Sequence, residues 1–167
     1  MEIHPFTEVI MNLENILLEY GKSKNIGRLH LDSTGVCNIL VNDEQIVTFE
    51  KSLDREGFFV YSSIGTIPVG EEKELALSIL KSNLFGKETG HANIGYVEQT
   101  RTLVLFEYFD ENGLEYSRFY QRFNKYIQYL YYWLVRLKVD EGLSNAPQSF
   151  DGHFDSFDDK DKKIFYA

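Results

Sequence analysis

Residue types able to do chemistry are present in the chain, but their spacing does not assemble a reactive centre. His4, His30, His91 and His153 are scattered, without the pairing one helical turn apart that sets two imidazoles on one metal. Gly86-Lys87-Glu88-Thr89-Gly90 contains a Gly-Lys pair, yet lacks the earlier glycine and the hydroxyl directly after lysine that cradle phosphate and magnesium. It reads as a connector. Asp151, Asp155, Asp158, Asp159 and Asp161 miss the alternating acids, central glycine and closing glutamate of a calcium loop. Cys37 is the single cysteine, so no internal disulfide or cysteine-rich metal site can form, and its place in an alternating apolar run suits a packed thiol. Carboxylate pairs abound in so acidic a chain, and none is singled out by position. The residues therefore nominate no catalytic group and no metal or cofactor, and a non-enzymatic binding protein is expected.

The 167 residues, 43% of them apolar and 15% aromatic, are enough for one domain with its own core. A formal charge of -9 disfavours nucleic acid as a partner, since such binders draw affinity from clustered Lys and Arg. It favours a basic protein segment. Glu2 and Pro5 stand where a secretory signal would carry positive charge and then an apolar run, and no stretch is apolar for long enough to span a bilayer. A cytoplasmic protein with no membrane partner is expected.

The elements that must position these residues follow from periodicity. Ile10, Leu13, Leu17 and Tyr20 recur at helical spacing, with Thr7 as cap and Gly21 as stop. Short apolar runs at 28–31, 36–41, 46–51 and 58–67, broken by turn residues, predict an antiparallel meander. Gly70 and the acids Glu71, Glu72 and Glu74 open a second helix running to about Phe85. Its apolar residues span more than one face, which one sheet cannot cover. Strands are expected at 92–98 and 102–108, and Asn112 with Glu115 suggests a capping box for a last helix. That helix carries the stripe Phe119, Phe123, Tyr126, Leu130, Leu134 and Leu137. Residues 1–140 are read as one α/β domain. Residues 141–167, rich in Gly, Ser, Asn and Asp, are read as an acidic flexible tail in which Phe150, Phe154 and Phe157 could serve as docking points.

This α+β order, helix, three-strand meander, helix, two strands, helix, resembles the class I chaperones of type III secretion, the Tir-chaperone-like family. The resemblance rests on Leu31-Asp32-Ser33-Thr34-Gly35-Val36-Cys37 leading into Ile39-Leu40-Val41-Asn42-Asp43, and on Ile79-Leu80-Lys81-Ser82-Asn83-Leu84-Phe85-Gly86 before Thr89-Gly90-His91-Ala92. Phe119, Phe123 and Trp133-Leu134-Val135-Arg136-Leu137 close the pattern. Gly21-Lys22-Ser23-Lys24 is more polar than the family's stretch there, and the tail has no counterpart. The resemblance implies a homodimer joined through the second helix, around which the N-terminal segment of a secreted effector wraps in extended form, with components of the secretion apparatus as further partners and no nucleotide. On that reading Leu75, Ala76, Ile79, Leu80, Leu84, Ile94 and Tyr96 form the dimer contact. Leu13, Leu17, Leu29, Leu31 and Ile39 are the candidate cargo-binding residues. The rival readings are an α/β adaptor or regulator that grips a folded partner, and a small-molecule enzyme with an undistinguished site.

Overall fold

A computed structural model of the chain describes residues 11–42, 44–140 and 164–166. Helix α1 (Leu13–Lys24) starts where the Asn12 side chain accepts from the Asn15 N–H, and Glu111 Oε1 accepts from the Leu13 N–H at 2.7 Å. Asn25, at φ 55°, ends it in the left-handed conformation that asparagine tolerates. The expected cap at Thr7 lies outside the described residues. Gly21 does not stop the helix. A Cβ there would sit 2.3 Å from the Gly27 carbonyl oxygen, so glycine is required where the chain doubles back against α1.

Residues 28–31, expected as a strand, instead run beside the sheet without joining it, with Leu29 buried and His30 exposed. Asp32 supplies the reason. Its Oδ1 accepts from the Thr34 N–H, the Thr34 hydroxyl and the Val36 N–H, closing a tight turn that commits the chain to pairing only from Val36. These bonds, the Thr34 hydroxyl foremost, hold the Asp32 carboxyl below its ordinary pKa.

The sheet contains β1 (Val36–Val41), β2 (Gln45–Lys51), β3 (Phe58–Thr66), β4 (Asn93–Val97), β5 (Thr102–Phe109) and a short C-terminal strand, β6 (Ile164–Tyr166). All neighbours are antiparallel, in the order β4-β5-β3-β2-β1-β6. Strand β6 was not expected within a flexible tail. The three tail phenylalanines and the rest of 141–163 lie outside the described residues.

One sheet face is the core. Cys37, Ile39 and Val41 of β1, Phe58, Val60 and Ile64 of β3, and Leu103, Leu105 and Phe109 of β5 alternate inward and are buried. Helix α3 (Tyr116–Asp140) lies across that face, burying Phe119, Phe123, Tyr126, Leu130, Trp133 and Leu137. Tyr132 is buried as well, whereas Tyr116, Tyr120, Tyr129 and Tyr131 are half-buried against the core. Phe58 stacks on Phe109 at 5.1 Å, and Phe49 meets Phe123 at 5.4 Å. The Tyr126 hydroxyl lies within hydrogen-bond reach of Ser62 Oγ and the Leu105 carbonyl. Burial of this kind contributes about 1.5–3 kcal/mol per large apolar side chain. Glu107 also points inward. Burial pushes its carboxyl pKa up, and Arg122, 2.7 Å away and stacked on Phe109, opposes that shift.

Asn112 does not cap α3. Asp110 Oδ1 accepts from both its N–H and its side-chain amide, so Asn112 belongs to the preceding turn. The stretch 86–90 is a packed connector. Its Glu88 carbonyl accepts from Trp133 Nε1 at 2.8 Å, its carboxylate accepts from Ser82 and Arg136, and a Cβ on Gly90 would strike the Tyr129 ring.

Candidate protein-binding surface

Helix α2 (Glu72–Asn83) is anchored at its ends. Glu72 pairs with Arg101 at 2.7 Å, while Arg101 also donates to the Ile67 carbonyl. At the far end the Asn83 side chain accepts from the Ile94 N–H at 2.9 Å and donates to the Ile94 carbonyl at 3.1 Å, taking the place a neighbouring strand would fill on β4. Between these anchors α2 buries only Ile79 and Ser82. Leu77 and Leu84 are exposed, and 65% of Leu80 is open to solvent. Tyr96 and Val97 of β4 are exposed as well.

A groove of about 320 Å3 joins α2 to β4. Ala76, Ile79, Leu80, Ile94 and Tyr96 line it, so five of the seven residues assigned to the dimer contact meet in one place. Ile79 and Ile94 form its buried floor, while Ala76, Leu80 and Tyr96 rise at its rim. Leu75 is half-buried and faces a separate recess beside Pro68 and Leu137, and Leu84 is exposed beside Lys87 and Arg136. Leu77, Phe85 and Val97 were not assigned to the contact, though all three are exposed. Phe85 is 93% exposed and holds φ at 56°, a left-handed conformation costly for a bulky side chain. A large aromatic residue next to Gly86, just past the end of α2, is the sequence signal that could have found it.

The residues assigned to cargo lie elsewhere. Leu13, Leu17 and Ile39 have no exposed surface and Leu29 has almost none; only Leu31 is half-buried. Helix α1 lies flat against the core, its Tyr20 meeting Phe123 edge-on at 5.4 Å, which leaves those leucines no route to solvent. The outer sheet face also carries apolar surface. Phe59, Tyr61, Phe106 and Tyr108 alternate outward there and are only half-buried. Phe59 and Tyr108 pair across strands at 5.2 Å, with the Arg55 guanidinium 3.7 Å above the Tyr108 ring. Tyr61 donates to Glu50, and burial together with that carboxylate pushes its phenol up to about 12.

The groups first considered for chemistry are dispersed. His30 and His91 are exposed and far apart in the chain, and His4 and His153 lie outside the described residues. Burial raises the Cys37 thiol pKa, which suits a packed thiol rather than a nucleophile. Among the described residues no three His, Cys, Asp or Glu side chains are grouped to hold a metal ion, and no helix is long and apolar enough to cross a membrane.

Residues 15–134, which span α1 through most of α3, match the model of the Tir chaperone protein (CesT) family. The chain belongs to that family. Its fold is likewise shared with chains of several solved complexes. A chain of the ExsC-ExsE complex aligns with TM-score 0.60 at 18% identity, over 75% of this chain and 96% of its own. One from the HopA1-SchA chaperone-effector complex aligns with TM-score 0.59 at 14% identity, over 72% and 91%. One from the heterodimeric ExoU-SpcU complex of the Pseudomonas aeruginosa type III secretion system aligns with TM-score 0.56 at 15% identity, over 75% and 93%. No curated protein matches the chain by sequence.

Proposed function

We propose that the protein is a type III secretion chaperone that works as a homodimer in the bacterial cytoplasm. It holds the N-terminal chaperone-binding segment of one or more effectors extended, soluble and ready for export. The observation that carries the reading is the uncovered apolar surface of α2 and β4 in a Tir chaperone family member. Leu80, Ala76 and Tyr96 would be covered by the same surface of a second subunit, an isologous contact in which each rim side chain enters the partner's groove. Leu77, Leu84 and Phe85 extend that contact.

Cargo is assigned to a different face. The half-buried outer aromatics Phe59, Tyr61, Phe106 and Tyr108 offer flat, amphipathic rings to an extended chain, and Leu31 is the one member of the initial cargo set with surface to contribute. Ordering an unfolded segment costs entropy, so a long contact that wraps the dimer is favoured over a small pocket. The net charge of -9 attracts basic segments. No step in this mechanism breaks or forms a covalent bond, and no cofactor is called for.

Affinity purification of the tagged full chain from its native bacterium tests the reading. The expected result is a dimer carrying a secreted polypeptide whose N-terminal segment becomes protease-resistant in the complex. Recovery of a compact folded domain as the sole partner would instead support an adaptor.

A further inference from the structure

Strand β6 covers one margin of the sheet whose outer face is assigned above to cargo. It runs antiparallel along the outer edge of β1, with Ile164, Phe165 and Tyr166 opposite Val41, Leu40 and Ile39. The opposite margin of the sheet, at β4, is partly closed by Asn83. An unpaired strand edge is a template for another chain, and here the protein fills it with its own C-terminus.

We propose that residues 164–166 are an autoinhibitory stand-in at the β1 edge, which an extended effector segment of similar chemistry must displace. This rests on the chaperone reading of the preceding subsection. Two features make the stand-in displaceable. It pairs with three of the six residues of β1, and among the described residues no strand lies beside Val36, Cys37 and Asn38 on that side, so a longer guest can build a longer ladder. Tethering also makes the stand-in an intramolecular competitor, which raises the affinity a guest must reach and rejects weak segments. The stand-in sequence describes the guest. Ile164-Phe165-Tyr166 is an apolar, strand-prone triplet preceded by Lys160, Lys162 and Lys163, which suit a chain of net charge -9.

The test uses the full chain and a fluorescent peptide copying residues 158–167. Prolines remove backbone donors, and because alternate residues face β1, the double variant Phe165→Pro/Tyr166→Pro removes one in either register. This variant is expected to bind the peptide at least about tenfold more tightly than wild type. Amide exchange at Ile39–Val41 should be faster in the variant and slow again when peptide is added. Equal peptide binding by the two proteins, or unchanged exchange at those amides, would overturn the proposal. A second variant reads the same event without proline. Leu40→Cys/Phe165→Cys joins residues directly opposite one another, at a separation a disulfide can span. Oxidised, it should refuse the peptide, and reduced, it should accept it; uptake by the oxidised form would also defeat the idea. Neither measurement involves an effector. Failure to recover a secreted polypeptide from cells would thus sink the chaperone reading while the peptide result still judged the acceptor edge.

Discussion

Helices α1 and α2 are each twelve residues long and each carries leucine and isoleucine at helical spacing, yet their surroundings differ. In α1, Leu13, Ile16, Leu17 and Tyr20 are all buried within the subunit. In α2, Ile79 is the only buried apolar side chain, and Leu77 and Leu80 stand in solvent, as does Leu84 just past its end. Similar amphipathic patterns therefore serve opposite purposes. One closes the subunit's own core, and the other leaves a face for something else to close. What separates them is the presence of a second packed element. Helix α3 meets α1 along its buried face, whereas α2 touches β4 at one margin, reaches α3 only at Leu75 and the Ser78–Arg136 bond, and is clamped by polar bonds at its ends.

The largest effect expected from breaking this contrast is at Leu17. Leu17→Ala removes a fully buried side chain and should cost about 2–5 kcal/mol of subunit stability, measured by urea unfolding. A loss near zero would mean that α1 is not part of the core. On the other side, Leu80→Glu should weaken self-association by at least about a hundredfold, or about 2.7 kcal/mol, because a charge enters an apolar contact. Subunit stability should stay within about 0.5 kcal/mol. A dimer mass unchanged in light scattering would remove α2 from the interface.

Alkali gives a third separation. Tyr61 and the buried Tyr126 have raised phenol pKa values, Tyr61 at about 12, in both cases chiefly through burial. Because the folded state holds the proton more tightly, the stability these groups contribute is complete below the ordinary value of 10 and is lost as pH rises through about 12. The phenolate absorbance that a Tyr126→Phe variant lacks relative to wild type should appear only together with loss of the near-ultraviolet dichroism of the core, and its appearance before unfolding would contradict the burial of Tyr126. The smallest expected effect is at the clamp. Asn83→Ala should cost about 1 kcal/mol and speed exchange of the Ile94 amide, leaving the core amides unchanged.

Much of this was readable beforehand where a local rule and the tertiary environment agree. The alternation Cys37, Ile39 and Val41 and the stripe Phe119, Phe123, Tyr126 and Leu130 each meet the core as their periodicity requires. Departures arose where a side-chain bond outweighed propensity. Asp32 turns the chain and so denies pairing to 28–31, and Asp110 captures Asn112 before it can cap α3. Gly21 looked like a stop and is a clearance. The surface is legible only in part, because an apolar residue at helical spacing records that it wants cover without saying from which molecule. That ambiguity assigned Leu13 and Leu17 to cargo, although the subunit itself covers both. Strand β6 escaped because three residues after a polar stretch carry no periodicity to read.

Phe85 gives one substitution two opposite results. Its left-handed backbone costs about 1–2 kcal/mol for a bulky side chain, and 93% of the residue is exposed on the subunit that carries it. Phe85→Gly would relieve the backbone while freeing the unfolded chain, so the isolated fold should be no worse for the change. The pairing of two copies, if the ring is spent there, should suffer. A residue that its own fold does not need is one whose benefit is collected only after the molecule has company.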